Sequence, residues 1–173
     1  SRLVPQKGVD LLLTVIPEIL QRGAQLVVLG SGDSALEQWL LHLQQQWPQQ
    51  VGVWIGYNEP LAHAMMAGSD VILVPSRFEP CGLTQMYALR YGALPLVRRT
   101  GGLADTVDQQ SGFLFDDVSS ESLAVVLHEA VDSYSDRKLW KQKQQYAMKQ
   151  ALGWERSAKH YIEIYQSLMQ VEE

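Results

Sequence analysis

Apolar residues along the chain follow two patterns in turn, one spaced as in a helix and one packed into short continuous runs. The helical stripes predict helices over residues 7–22, 34–47, 61–67 and 83–91. The apolar runs between them predict buried strands over residues 25–30, 51–55, 70–74, 93–97 and 112–115. Beyond Ser119 the spacing is helical throughout and predicts helices over residues 122–134, 137–149 and 154–169.

This order of strands and helices predicts the fold class. Strands joined by helices of this length form right-handed crossovers, which give a mostly parallel sheet covered by helices on both faces. Pro95 lacks an N–H group, so we expect its strand to lie near an edge or an end of the sheet. No internal repeat or low-complexity linker interrupts the chain. The pattern therefore predicts one α/β domain over residues 1–173, with a helical tail over residues 119–173.

One expected element is missing at the beginning of the chain. A parallel βα unit starts with an apolar strand, but no such strand precedes the first predicted helix. We therefore expect the chain to be cut on its N-terminal side.

Composition and charge exclude several classes of protein. Hydrophobic residues make up 46% of the chain, and no apolar run approaches the ~20 residues of a membrane-spanning helix. The formal net charge is -5 and the basic residues are scattered, unlike a nucleic-acid-binding face. The single cysteine, Cys81, cannot form an internal disulfide and fits a cytoplasmic protein. The histidines do not stand at metal-ligand spacing, so we predict no metal site and no cofactor.

The strongest candidate site is the segment Pro-Ser-Arg-Phe-Glu-Pro-Cys-Gly-Leu-Thr-Gln over residues 75–85. Pro80 and Gly82 predict a tight turn after a strand, and a helix begins near Leu83. The N–H groups of such a turn and the positive end of the helix dipole attract an anion. Thr84 adds a hydroxyl, and the Glu79 carboxylate is suited to a hydroxyl-rich group. A capped loop with an exposed glutamate explains the same residues equally well.

Three further residues follow predicted strands or precede predicted helices. Arg2 and Lys7 lie where the first strand-to-helix junction of such a fold belongs, and two cations there neutralise a pyrophosphate leaving group. Taken alone, such a pair is more often two solvated charges. Tyr57 follows the second predicted strand and has the ring to stack on a base, although a lone loop tyrosine more often packs locally.

Two glycine turns also precede predicted helices. Gly101 and Gly102 either admit a ligand closely or simply make a structural turn. The segment over residues 30–35 fits the G-x-G-x-x-A form of a dinucleotide fingerprint, which would indicate an NAD-binding oxidoreductase. Asp33 places a negative charge where the pyrophosphate belongs. We therefore favour a tight turn in which Asp33 or Ser34 caps the next helix.

Three segments carry a resemblance to a known family. They are Ser-Arg-Leu-Val-Pro-Gln-Lys-Gly over residues 1–8, the segment over residues 75–85, and Arg-Thr-Gly-Gly-Leu-Ala-Asp-Thr-Val over residues 99–107. In this order and spacing they resemble bacterial glycogen (starch) synthases, which use ADP-glucose. The resemblance implies a GT-B architecture of two Rossmann-like domains with the active site between them. This chain resembles the C-terminal, donor-binding domain.

The resemblance also implies roles for individual residues. Arg2 and Lys7 match the cations on the donor phosphates, and Glu79 matches the active-site glutamate that contacts the sugar. The implied substrate-binding residues are Tyr57 on the adenine, Cys81 and Gly82 at the glucose, Leu83 and Thr84 at the distal phosphate, and the turn glycines Gly101 and Gly102.

The implied reaction moves glucose from ADP-glucose to the end of an α-1,4-glucan with retention at the anomeric carbon and without a metal. The implied partner is an N-terminal domain that this chain lacks, so we expect little transferase activity from the chain alone. A stand-alone module that binds a nucleotide sugar without catalysis is the alternative.

Overall fold

The computed structural model describes residues 1–169, and the end of the predicted helical tail, residues 170–173, lies outside the described residues. In chain order the elements are β1 (Arg2–Leu3), two 3-10 turns (Pro5–Lys7 and Val9–Leu12), α1 (Ile16–Gln21), β2 (Leu26–Gly32), α2 (Ser34–Gln46), β3 (Val51–Ile55), α3 (Glu59–Gly68), β4 (Val71–Val74), α4 (Thr84–Tyr91), β5 (Leu94–Arg98), α5 (Gly101–Thr106), β6 (Phe113–Phe115), α6 (Ser120–Ser135), α7 (Arg137–Met148) and α8 (Trp154–Met169). The predicted succession of strands and helices after residue 25 is confirmed.

The strands form two parallel three-stranded sheets in the described part of the chain, ordered β1-β2-β3 and β4-β5-β6. Leu26 lies opposite Val51 where β2 pairs with β3, and Leu96 lies opposite Phe113 where β5 pairs with β6. Helices flank the sheets. The prediction of an α/β fold with parallel strands and a helical C-terminal end is therefore confirmed.

One hydrophobic core joins the two sheets. Val51 of β3 and Leu20 of α1 belong to the same buried cluster as Leu94 and Leu96 of β5 and Phe113 of β6. Burial of such a side chain stabilises the fold by about 1.5–3 kcal/mol. No strand pair links the two sheets within residues 1–169, so this shared core is one of the contacts that join them.

The prediction of one long helix over residues 7–22 is wrong. The segment instead forms two 3-10 turns separated by Gly8, whose φ is 67°, and then the short helix α1. Pro17 lacks an N–H group, so α1 begins beside it rather than continuing an earlier helix. The apolar stripe still marks the buried side, since Leu11, Leu12 and Ile16 all lie in the core.

The expectation that the strand with Pro95 lies near an edge or an end of the sheet is also wrong, because β5 is the central strand of its sheet. Leu94 donates its N–H to the carbonyl of Asp70 at 2.9 Å. Successive N–H groups alternate in direction along a strand, so the Pro95 nitrogen faces β6. Pairing with β6 begins only at Leu96, opposite Phe113, so the missing N–H group costs no ladder hydrogen bond.

A short strand at the start of the chain was not predicted. Arg2 lies opposite Ser31 and Leu3 opposite Gly32, parallel to β2. A side chain at position 32 would overlap the carbonyl of Leu3, so Gly32 permits the close approach. Two residues are too few for the apolar pattern to predict a strand.

The contact between Gly8 and the end of β4 gives a testable prediction. We expect Gly8→Ala to lower the free energy of unfolding by about 3 kcal/mol or more, because the new Cβ adds steric overlap to an unfavourable backbone conformation. That Cβ would overlap the Pro75 carbonyl oxygen, and Gly8 has a φ of 67°. The measurement is denaturation by urea.

Gly23 is the matched control, since its φ is 87° and nothing lies within 4 Å of an added Cβ. Gly23→Ala therefore carries only the backbone cost, about 1–2 kcal/mol. Equal losses in the two variants would contradict the overlap with Pro75.

Candidate active site

Two segments meet where β1 and β4 end, namely residues 4–10 and the loop over residues 75–83. The backbone N–H of Arg77 donates to the carbonyl of Gln6 at 2.8 Å. The Gln6 side-chain amide donates in turn to the carbonyl of Phe78 at 2.9 Å. Ligands of open parallel sheets bind at the carboxyl ends of strands, which is where these two segments lie.

Lys7 and Glu79 form an ion pair across this junction. Glu79 is only 8% exposed, and its carboxylate also accepts a hydrogen bond of 3.2 Å from the hydroxyl of Ser76, which is fully buried. The alternative of a capped loop with an exposed glutamate is therefore wrong. The structure brings a predicted cation and the predicted carboxylate into direct contact.

A second ion pair reinforces the junction. Arg77 donates two hydrogen bonds to the Asp10 carboxylate, at 2.7 and 2.6 Å, and a third of 2.7 Å to the carbonyl of Pro5. The hydrogen bonds from Arg77 hold the pKa of Asp10 below its ordinary value of 3.8. This bidentate pair fixes the position of the turn that carries Lys7.

Arg98 of β5 holds the same loop from the other side. Its guanidinium donates to the carbonyls of Ser76, at 2.9 Å, and of Arg77. A planar guanidinium presents several donors in a fixed geometry and here satisfies carbonyls that leave the strand ladder. The loop before Glu79 is thus anchored on both sides.

The turn after Glu79 leads into α4 without a side-chain cap. Gly82 has a φ of 74°, a conformation that favours glycine, and Leu83 is the N-terminal capping residue with no side-chain hydrogen bond to the helix. The first N–H groups of an α-helix have no partner within the helix, and the helix dipole adds positive potential there. The start of α4 at Thr84 therefore presents donors suited to an anion.

Gly101 and Gly102 pack against the back of this turn. The N–H of Gly102 donates to the carbonyls of Glu79, at 3.1 Å, and Pro80, at 3.2 Å. A Cβ at position 101 would overlap the carbonyl of Glu79, and one at position 102 would overlap Cys81. Packing accounts for both glycines as a structural turn, and their contact with a ligand stays a prediction.

The two remaining predicted residues, Arg2 and Tyr57, lie on or directly after strands of the sheet ordered β1-β2-β3. Arg2 is exposed on β1, and its guanidinium reaches the side-chain oxygen of Gln6 at 3.5 Å. Tyr57 follows β3 and is 86% exposed, with its hydroxyl donating to Glu59 at 3.0 Å. This hydrogen bond raises the pKa of Tyr57. The ring itself is not packed against the protein, so the expectation of local packing is wrong.

The glycine turn over residues 30–35 has a structural explanation. The Asp33 carboxylate caps α2 by accepting from the N–H groups of Ala35, at 2.9 Å, and Leu36, at 3.1 Å. A side chain at Gly30 would overlap the carbonyl of Ser1. The favoured interpretation of a capped turn is confirmed, and the carboxylate occupies the helix start that a dinucleotide would need.

Within residues 1–169 no group of three or more histidine, cysteine, aspartate or glutamate side chains is arranged to hold a metal ion. None of the described helices is both long and apolar enough to cross a membrane.

Comparison with known proteins identifies the family. The profile of the family described as "Glycosyl transferases group 1" matches residues 1–147. The chain belongs to this family. Its matched region contains both segments of the junction and the whole turn into α4.

Curated relatives of this chain include glycogen synthases, among them the following two. The one from Edwardsiella ictaluri is 49% identical over 179 residues, which cover 98% of this chain and 38% of the relative. The one from Marinomonas sp. is 49% identical over 173 residues, covering 98% of this chain and 36% of the relative. The resemblance to glycogen synthases is confirmed. The chain spans little more than a third of the length of these relatives.

Solved structures agree with this assignment. The catalytic domain of starch synthase IV from Arabidopsis thaliana, bound to ADP and acarbose, superposes with a TM-score of 0.85 at 36% identity. The match covers 96% of this chain and 37% of that one. Sucrose-phosphate synthase from Thermosynechococcus elongatus has a TM-score of 0.72 at 23% identity, with coverage of 99% and 45%, and supports the fold alone.

Several residues of this candidate site were not singled out from the sequence. Ser76 and Arg77 stand inside the segment over residues 75–85, but nothing in the sequence distinguished their roles. Asp10 and Arg98 contact the loop from positions far away in the chain, and no local pattern reports such contacts. The only signal for these residues in the sequence was that charged side chains stand close to the predicted glycine turns.

The ion pair between Asp10 and Arg77 predicts a pH-dependent stability. We expect Asp10→Asn to lower the free energy of unfolding at pH 7 by up to about 1 kcal/mol, since both side chains are partly exposed. Because the folded-state pKa of Asp10 lies below 3.8, the contribution is present above that value. It is lost as the pH falls through the lower folded-state pKa. Urea denaturation between pH 7 and pH 3 measures the difference.

The control is Asp117→Asn, which changes an exposed aspartate on the loop before α6. This variant should match the unchanged chain at every pH. A difference for Asp10→Asn that stayed constant down to pH 3 would contradict the assignment to the carboxylate charge.

Proposed function

We propose that the chain is the donor-binding domain of a retaining glucosyltransferase that transfers glucose from ADP-glucose to the non-reducing end of an α-1,4-glucan. The observation that carries the proposal is the contact between Lys7 and the buried Glu79 beside the uncapped start of α4. A cation, a carboxylate and a helix N-terminus in one place suit a ligand that joins a diphosphate to a sugar.

The phosphate end of the donor is assigned to the cations and to the start of α4. When the glucosyl bond breaks, its electron pair leaves with ADP, so negative charge grows on the distal phosphate. Lys7, Arg2 and the N–H groups at Leu83 and Thr84 stabilise that charge without a metal. Positive charge that is already held in place needs little rearrangement during the reaction, which lowers the barrier.

The sugar end is assigned to Glu79 and to the turn of Cys81 and Gly82. A carboxylate accepts hydrogen bonds from sugar hydroxyls, and Ser76 and Lys7 fix the orientation of Glu79 before the ligand arrives. The acceptor 4-hydroxyl forms the new bond to the anomeric carbon and passes its proton to the departing diphosphate oxygen. Retention requires this bond to form on the face from which ADP leaves.

The adenine base is assigned to the exposed ring of Tyr57, which is 86% exposed and so has a free face for stacking. The preference for ADP is supported by the starch synthase IV structure, which was obtained with ADP and acarbose. A cytoplasmic location stays a prediction from the cysteine content.

Acceptor binding is assigned to a further domain. The chain covers 38% of the Edwardsiella ictaluri glycogen synthase, so most of that relative's length lies outside the match. α8 supports a contact beyond this chain, because its apolar side chains are more than half exposed. They are Trp154, Tyr161, Ile162, Ile164, Tyr165, Leu168 and Met169. A helix with such a face packs on another surface.

Calorimetry tests the donor site. We expect this chain to bind ADP and ADP-glucose, and neither UDP-glucose nor NAD comparably. Lys7→Ala should weaken the binding of ADP and of ADP-glucose by about 10- to 100-fold, since a charge-assisted contact to phosphate is lost. Glu79→Ala should weaken ADP-glucose but not ADP, because the carboxylate is assigned to the sugar.

Lys141→Ala is the matched control, an exposed lysine on α7. It should leave all affinities unchanged. Selective binding of NAD, or an equal loss of ADP affinity in Lys141→Ala and Lys7→Ala, would contradict the proposal.

Glucan elongation tests the need for a further domain. We expect the isolated chain to transfer negligible glucose from radiolabelled ADP-glucose to glycogen, because it supplies no acceptor surface in this proposal. The matched positive control is the Edwardsiella ictaluri glycogen synthase. Robust elongation by the chain alone would contradict the assignment of acceptor binding to a further domain.

A further inference from the structure

Gln85, the second residue of α4, is fully buried and lies behind the turn of Cys81 and Gly82. Its side-chain amide nitrogen donates to the carbonyl of Cys81 at 3.0 Å and to the carbonyl of Gly82 at 2.9 Å. It also lies 3.1 Å from the hydroxyl oxygen of Thr106. Only the NH₂ end of the amide is able to donate to two carbonyls, so the hydrogen-bond network fixes its orientation.

The rest of this network ties Gln85 to α5. The Thr106 hydroxyl donates to the carbonyl of Gly102 at 2.5 Å, and Gly102 supports the backbone of the turn from behind. Gln85 therefore rests on a rigid element rather than on solvent. A buried side chain held in this way imposes a conformation on the backbone it contacts.

The direction of the two carbonyls determines the direction of two N–H groups. In a planar trans peptide the C=O and the following N–H point in opposite directions. Because Gln85 holds the carbonyls of Cys81 and Gly82 toward the protein interior, the N–H groups of Gly82 and Leu83 point away from it. Leu83 is exposed and Gly82 is half-buried, so this is the open side of the turn.

We propose that Gln85 is a positioning residue that aims the N–H groups of Gly82 and Leu83 at the bound donor. The inference rests on the proposed function for the identity of the ligand. Gln85 itself is buried behind the turn and acts only through the backbone. A free turn would sample conformations in which these peptide planes rotate, since Gly82 tolerates both signs of φ.

The first test removes the donors while keeping the volume. Gln85→Leu should loosen the turn, and the single cysteine, Cys81, reports this because it is exposed and lies within the turn. We expect its reaction with a disulfide reagent to be about three- to tenfold faster, the effect of losing one or two hydrogen bonds. The amide signals of Gly82 and Leu83 in nitrogen-15 spectra should also shift.

Gln50 provides the matched control. Its side-chain amide also donates to two carbonyls, those of Leu20 and Ala24, both at 2.8 Å, in a part of the chain away from α4. Gln50→Leu should cost comparable stability. It should leave the Cys81 reaction and the Gly82 and Leu83 signals unchanged.

A second variant separates positioning from simple loss of stability. Gln85→Glu has the shape of glutamine but donates only when its carboxyl is protonated. Its Gly82 and Leu83 signals should move toward those of the unchanged chain as the pH is lowered, whereas those of Gln85→Leu should not. If Gln85→Leu fails to fold, Gln85→Met replaces it, because methionine also lacks the donors and its flexible side chain adapts to the space.

Affinity completes the test. Gln85→Leu should weaken ADP-glucose binding by about tenfold, and Gln50→Leu should not change it. An unchanged turn in Gln85→Leu would overturn the inference, and so would a loosened turn with unchanged ADP-glucose affinity. If the chain without any substitution bound no ADP-glucose, the proposed function would fail instead. The thiol reaction of Cys81 and the amide signals would still decide whether Gln85 fixes the turn.

Discussion

The close approach of residues 4–10 to the loop over residues 75–83 is the constraint on which the rest of the site depends. The two sheets share a hydrophobic core but no strand pair within the described residues, so their carboxyl ends are aligned by this contact. Gly8 allows the backbones to touch, and the bidentate pair of Asp10 and Arg77 keeps them together. Lys7 meets Glu79 only because this alignment is maintained.

The same contact explains how opposite charges coexist in a small space. A buried carboxylate is costly unless it is paired and hydrogen-bonded, and Glu79 has both Lys7 and Ser76 as partners. These two partners together offset the cost of burying the Glu79 carboxylate. A ligand with a phosphate and a sugar would offer each member of the ion pair a new partner, so neither charge would be left alone as the donor enters or leaves.

Local features were predictable from the sequence, and contacts between distant segments were not. The strand over residues 51–55 and the cap at Asp33 follow from patterns within a few residues. The helix over residues 7–22 was overpredicted because the apolar spacing hid the effects of Gly8 and Pro17. The pairing of Asp10 with Arg77 joins residues 67 positions apart, and no local pattern carries that information.

The packing of Gly101 and Gly102 against the turn affects how the site moves. Where two elements meet only through side chains, rotamer changes absorb small displacements. Here the backbone of Gly101 and Gly102 also contacts the backbone of the turn, and such a dense contact transmits displacement directly. α5 and the turn beside Glu79 therefore behave as one stiff body. If a neighbouring domain closes over the donor, the Glu79 carboxylate moves together with α5 and the turn. It does not change its position relative to them.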